Sequence, residues 1–429
     1  MMLASPIVSG DTLIAACING NILAIDWRKG ELIWNYSSGS SAYSTPAIDN
    51  DMVYTAFRDG SVRALDRQTG SLLWRFDVED TIASEKEIQA PIKMTSSRIY
   101  VGCFNGKLYC LNKNGTKAWD YQTHFYIKEA AAISDTLIAI SSRDEAIYLL
   151  RNYGDSVVLL WKNRVVEYGE YVPGSVARTS PVIVNGYVFT NSAEAECGHF
   201  TRALSVDSGK KAASFPDNSN FNTTGFAVGI NEEVVSNIWG YNPLTLGKLF
   251  GVSGSYMRFL RSNSAPVITA NQFIFHSSYH PKGIFFVNPE TKTVRQDTLK
   301  MENYTVSTSF AVSNNVLFFG TYEKVLFGIG KGSGNVGAEN IGSVFGGKIE
   351  VSPNPFNPST NIRFALLKGG NVELSVFNVS GRCIWKTSGI YTKGYHSIKY
   401  TTDNHSAGVY MLRLSCKENT RNIKLVIAK

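Results

Sequence analysis

The side chains of this 429-residue chain that could carry out chemistry are few and scattered. His276 and His280 in HSSYHP have the H-x-x-x-H spacing that, on a helix, sets two imidazoles on one face for a metal. Here the Phe-Ile-Phe run before them and the Pro-Lys-Gly after them read as a strand running into a turn, so the pair reads as a loop contact. EAECGH brings Glu194, Glu196, Cys197 and His199 into another turn, where hard carboxylates and a soft thiolate so close together read as a loop and not as a metal site. No G-x-S-x-G, Walker-type loop or H-E-x-x-H occurs. The six cysteines, Cys17, Cys103, Cys110, Cys197, Cys383 and Cys416, form no C-x-x-C. They read as small buried hydrophobes, with a Cys383 to Cys416 bridge between strands as the alternative. No metal ligand, cofactor or catalytic residue is therefore assigned. The long segment VEYGEYVPGSVARTS offers Tyr168, Tyr171 and Arg178 as a binding rim, because loop aromatics and Arg anchor ligands; an elongated surface loop is the other reading.

Composition bounds what carries these residues. With 44% hydrophobic, 12% aromatic and 18% charged residues the chain folds and leans toward β structure. The net charge of +7 is uneven: 12 Lys+Arg and 4 Asp+Glu lie from Ile341 onward, against 30 and 31 before it. No basic cluster with interleaved aromatics stands out, which argues against nucleic acid as a partner. No apolar run is long enough to cross a membrane. The opening MMLASPIVSGDTLIAAC has no charged segment leading into an apolar one. Either the protein stays in the cytosol or its signal peptide is missing from this chain.

The text then repeats. NGNILAIDWRKGELIW returns forty positions later as DGSVRALDRQTGSLLW, matching Gly20 to Gly60 and Trp34 to Trp74. Further copies begin near Ala90, Ala131, Ser180, Thr224, Ala265 and Ser309, at periods of roughly 40 to 46, the range of propeller blades. Each parses into four short strands: a polar turn, an Asn-Gly or Asp-Gly hairpin, then a turn in which Asp66 accepts backbone N–H groups and Gly70 takes a left-handed conformation. A four-stranded twisted sheet cannot bury both faces alone, so blades must stack. Trp fills the wedge between them and a small Ala leaves it room.

The pattern A-x-D-x-x-T-G-x-x-x-W resembles the tryptophan-docking motif of pyrroloquinoline-quinone-like (PQQ-like) β-propeller repeats. Ala64, Asp66, Thr69, Gly70 and Trp74 match it in full, and Ala24, Asp26, Gly30 and Trp34 match all but the Thr. Gly115 with Trp119 is a shortened copy and Trp161 marks a fourth. The resemblance implies a propeller of eight four-stranded blades, or seven if the weak unit near Thr224 is not one. Enzymes of that superfamily carry an adjacent-cysteine disulfide and a cluster of channel ligands, neither of which is found in this sequence.

After the Gly-rich stretch 331–348 the text changes to alternating runs separated by Gly/Ser/Asn turns, which predicts a small immunoglobulin-like β-sandwich of about seven strands. Pro353, Asn354, Pro355 and Phe356 in PNPFNPST, with Gly381, Gly394, Gly408 and Tyr410, resemble the C-terminal sorting domain of bacterial type IX secretion. They are equally similar to the related domain of flagellar hook-capping proteins. The prolines suggest a stiff extended spacer ahead of the sandwich. The reading is therefore an all-β chain: propeller over 1–330, linker over 331–348, and sorting domain over 349–429. It implies a secreted or cell-surface bacterial protein that partners the type IX machinery and a protein, peptide or glycan. A non-catalytic binding scaffold leads; the alternatives are an extracellular hydrolase, lyase or quinone-dependent oxidoreductase using the channel, and an envelope assembly factor that binds extended peptides.

Overall fold

The computed structural model describes residues 4–428, apart from 165–178, 218–224, 252–264, 297–305, 331–335, 341–349 and shorter stretches elsewhere. The chain divides into two compact units, Met1–Ala24 with Ile33–Ala338, and Ile25–Leu32 with Glu339–Lys429. All regular structure among the described residues is β.

Ahead of the C-terminal sandwich, eight four-stranded antiparallel sheets follow one another among the described residues, each pairing its strands in sequence order. The first is Ile7–Ser9, Thr12–Ala16, Asn21–Asp26 and Glu31–Ser37, and the second Ala47–Ile48, Met52–Ala56, Ser61–Asp66 and Leu72–Asp77. The weak sixth unit also forms a blade, Phe226–Val228, Val234–Ser236, Trp239–Asn242 and Gly247–Gly251. The eighth ends in Val336–Asn340, so its outer strand falls inside the stretch read from sequence as linker. Middle strands such as Ser61–Asp66 are buried on both faces, whereas the outer strand Leu72–Asp77 is largely exposed. Cores accordingly form between blades: Tyr54, Val62 and Ala64 of the second pack with Ile99, Val101, Tyr109 and Leu111 of the third.

The docking residues create this stacking. Asp66 Oδ1 accepts the N–H groups of Gln68 and Thr69 at 3.0 and 2.7 Å and the Thr69 hydroxyl at 2.8 Å. That shapes a turn whose Gly70 sits at φ +73°. A Cβ on Gly70 would lie 2.6 Å from the Trp34 ring of the preceding blade, and Trp34 Nε1 donates to Arg67 O at 2.8 Å. The same joint recurs as Trp74 on Gly115, with Nε1 to Lys113 O at 2.8 Å, and as Trp161 on Gly209, with Nε1 to Val206 O at 2.7 Å. Trp119 instead donates to the Asn152 side chain at 3.2 Å. Ala24 and Ala64 are fully buried, and Ala64 pairs with Trp74 across its own sheet. Room for the indole thus comes from the next blade's glycine as well as from alanine.

A belt of small residues closes the ring. Ser5 N–H donates to Thr45 Oγ1 at 3.0 Å, Ala130 N–H to Ser180 Oγ at 3.0 Å, and Ala265 N–H to Ser309 Oγ at 2.9 Å. Ser309 N–H then donates to Ser5 Oγ at 3.0 Å, joining the eighth blade to the first. Ala90 and Gly225 occupy the same place in their blades.

The sandwich has a three-stranded sheet, Glu350–Ser352, Ser359–Leu366 and Gly394–Thr401, and a four-stranded one, Cys383–Tyr391, Gly370–Phe377, Gly408–Cys416 and Asn419–Ile427. Alternate residues of each strand fill one core, among them Phe364, Leu374, Tyr400 and Leu412. The PNPF segment does not stand off as a spacer. Phe356 is 2% exposed, and its N–H donates to Val426 O at 3.1 Å while its C=O accepts from Ala428 at 2.9 Å. Asn354 completes the tie, donating to Lys424 O at 2.9 Å and accepting from Val426 N–H at 2.8 Å. Burial of a phenyl ring and four hydrogen bonds outweigh the proline preference for a solvated extended chain. Tyr410 OH donates to Ser406 O at 2.7 Å beside Gly408, Gly394 turns at φ +129°, and Gly381 lies outside the described residues. Cys383 and Cys416 are free thiols, against the bridge considered above. Cys383 pairs with Phe377 and Cys416 with Val372, five residues apart on opposite edges of the strand between them, too far for a disulfide.

Candidate functional site

The inner strands surround a channel of about 1110 Å³. Ile7, Val8, Ile133, Val182, Val228 and Val312 supply its aliphatic wall. Tyr43, Gln89, Lys128, Glu129 and Arg143, from the crossovers that precede inner strands and from a hairpin, supply its polar lining.

Two groups of side chains are built around these residues. In the first, the Arg58 guanidinium lies 5.5 Å from the Tyr43 ring centroid and forms an ion pair with Glu87, which also accepts from Gln89 Nε2 at 2.9 Å. Burial would raise the Glu87 pKa, but the hydrogen bonds from Arg58 and Gln89 outweigh it and hold the carboxylate ionised. In the second, Phe104 stacks on Tyr126 at 4.7 Å, Phe125 meets Tyr126 at 4.6 Å, and Arg143 lies 5.8 Å from the Tyr126 ring. Arg143 Nη2 pairs with Glu129 at 3.2 Å. Phe125 stays 53% exposed. Next to it, Asp144 accepts from Tyr148 OH and from Lys162 Nζ, the latter at 2.9 Å. Burial works against its charge here too, and these donors again push its pKa below the ordinary value.

Both groups are chemically recognition surfaces: flat rings, guanidinium planes and ionised carboxylates already paired with cations. Against its burial, Asp59, in the same hairpin as Arg58, is held below the ordinary carboxylate range in the same way, by Ser61, Arg63 and Arg75, so Asp59, Glu87 and Asp144 all stay ionised. Among the described residues no group of three His, Cys, Asp or Glu is placed to hold a metal.

Tyr168, Tyr171 and Arg178, the expected binding rim, lie outside the described residues, as do Glu196, Cys197 and His280. Glu194 and His199 belong to the paired strands Tyr187–Glu194 and Gly198–Ser205, and His276 to Ile274–Tyr279. The docking residues form inter-blade joints and the sorting motif builds the sandwich. Sequence reasoning missed Tyr43, Arg58, Glu87, Phe104, Tyr126 and Arg143. The signal for Tyr43, Glu87 and Tyr126 was present in the crossovers SSAYSTP, EKEIQAP and THFYIKEAA, aromatic and charged text just ahead of an inner strand, and Arg58, Phe104 and Arg143 come from the hairpins between second and third strands.

Comparison with known proteins agrees with this architecture. Residues 2–213 match the family model described as outer membrane protein assembly factor BamB, and residues 350–428 match the secretion system C-terminal sorting domain. Among solved structures, BamB from Moraxella catarrhalis is similar at a TM-score of 0.55 and 18% identity, over 74% of this chain and 91% of that one. The computationally designed Ika8 protein is similar at a TM-score of 0.58 and 14% identity, over 77% and 97%. At these identities the likeness is one of fold. No curated protein matches the chain in sequence.

Proposed function

From a chain that carries PQQ-like propeller repeats followed by a type IX secretion sorting domain, and is thereby exported to the cell surface or extracellular space, we propose a non-catalytic binding protein. The propeller recognises a protein, peptide or glycan at its channel mouth, and the C-terminal domain engages the secretion machinery. A division into propeller, joint and sorting domain, the last over 349–429, is part of this reading, with the propeller carried past 330 to take in the outer strand Val336–Asn340. The observation that carries it is the pair of groups Tyr43–Arg58–Glu87 and Phe104–Tyr126–Arg143, in which aromatic faces and guanidinium planes are held ready for contact. The test is a glycan and peptide array probed with the full chain and with a Phe104→Ala/Tyr126→Ala variant. Selective binding lost in the variant, at an unchanged melting temperature, supports the reading. Turnover of any array member by the full chain, or binding indifferent to the variant, overturns it.

A second reading rests on the outer strands. Leu72 and Leu73 are 46% and 51% exposed, and Val158, Leu159 and Leu160 present another apolar edge. Such edges can add an extended peptide as a fifth strand, the mode suited to an envelope assembly factor. Leu73→Lys and Leu160→Lys would then weaken capture of unfolded outer-membrane strands, whereas the rim variant would not.

A further inference from the structure

One position of the channel wall departs from the rest. The third residue after each belt residue is Val8, Ile48, Lys93, Ile133, Ile183, Val228, Ile268 and Val312: seven β-branched aliphatics and one lysine. Lys93 belongs to the inner strand Lys93–Met94 of the third blade, opposite Tyr100, and lines the cavity with Val8, Ile133, Val228 and Val312. The other charged groups nearby are spoken for. Glu129 and Arg143 pair with each other at 3.2 Å, and Asp49, at a turn of the neighbouring blade, accepts from Lys113 Nζ at 2.8 Å and Tyr54 OH at 2.9 Å. Among the described residues neither Lys93 nor Lys128 has an ion-pair partner, so the described lining of the lumen carries unbalanced positive charge. Lys93 keeps an open face to the lumen, yet crowding by the walls lowers its pKa, the direction expected of a cation short of water and of a counter-ion.

We propose that the channel binds an aliphatic monocarboxylate, its single anionic head taken by the Lys93 ammonium and its hydrocarbon body laid against the Val/Ile collar. A lone ammonium on a flexible stem suits one carboxylate, whereas a phosphate or dicarboxylate calls for several fixed donors or a bidentate Arg. A cavity of about 1110 Å³ admits either a medium-chain fatty acid or the hydrophobic C-terminus of a peptide, which share this chemistry. The inference deepens the reading of the protein as a binder, but it uses the channel wall and not the mouth.

The test is calorimetric titration of the full chain with decanoate below its micelle concentration, 1-decanol, and a Leu-rich tetrapeptide with a free or an amidated C-terminus. Saturable binding of at least one acid, about tenfold or more tighter than its neutral counterpart, is expected. Which acid binds identifies the source. Lys93→Met, which keeps an unbranched stem, abolishes the preference for the acid, while Lys128→Met retains it. Equal affinity for acid and neutral forms, an acid preference that survives Lys93→Met, or no saturable binding of any probe overturns the proposal. Phe104→Ala/Tyr126→Ala leaves decanoate or peptide binding intact, so failure of the mouth reading and failure of this one are told apart.

Discussion

Gly70 and Gly30 occupy the same place in consecutive copies of the repeat, and substituting each by Ala separates two costs that usually come together. Both have positive φ, +73° and +69°, so either alanine pays a left-handed penalty of about 1–2 kcal/mol. At Gly30 nothing lies within 4 Å of the new Cβ, and the cost ends there. At Gly70 the Cβ would stand 2.6 Å from the Trp34 ring, so the indole must withdraw. It then loses its 2.8 Å bond to Arg67 O, about 1 kcal/mol net, and part of the packing of a side chain only 7% exposed, about 1–2 kcal/mol more. Gly70→Ala should therefore destabilise by about 3–5 kcal/mol and Gly30→Ala by about 1–2 kcal/mol. At about 2 °C per kcal/mol for a domain of this size, the two Tm values should differ by about 4–6 °C. Thermal unfolding followed by tryptophan fluorescence measures this, and a Trp34→Leu background should abolish most of the difference. Equal shifts for the two glycines would refute the idea that turn glycines are kept as sockets for the preceding blade's tryptophan.

Three other outcomes are expected. Asp49, Asp59 and Asp144 have folded-state pKa values below their unfolded ones, because hydrogen bonds and cations outweigh burial. Their contribution is full above about pH 4 and is lost as pH falls through the depressed values, so Tm should be flat from pH 7 to 5, fall below about pH 4, and fall less steeply in Asp144→Asn. Thiol alkylation followed by mass spectrometry should label exposed Cys383 in the native protein, while buried Cys17 and Cys110, with pKa values pushed up to about 12 mainly by burial, react only on unfolding. Phe356→Ala should cost the sandwich about 3–5 kcal/mol and reduce export, whereas removing residues from Ile349 onward should leave the protein inside the cell; secretion of the truncated form would contradict the sorting role.

The repeat and the sorting motif were legible in sequence because their causes are local. An Asp that caps its own turn, a Gly that must turn left-handed, a Trp at fixed offset and PNPF ahead of alternating strands each act within about a dozen residues, so periodicity exposes them. Even the weak copy near Thr224 forms its four strands, since backbone pairing between adjacent strands asks little of particular side chains. The free state of Cys383 and Cys416 needed the strand register, because spacing along the chain does not tell which edge of a sheet a residue occupies.

What tertiary structure alone decided are relations between blades. Arg58 meets Tyr43 and Glu87, and Phe104 meets Tyr126, only when the hairpin of one blade is brought beside the crossovers that enter and leave it. Lys93 looks like any strand lysine until the aliphatic residues that line the same cavity from other blades, Val8, Ile133, Ile183, Val228 and Val312, are set around it. Gly30 and Gly70 sit in nearly the same words with opposite surroundings. The neighbour that fills the Gly70 turn is Trp34 of the blade before, whereas nothing lies within 4 Å of a Cβ at Gly30, and local sequence cannot tell the two apart because the filling side chain comes from another blade.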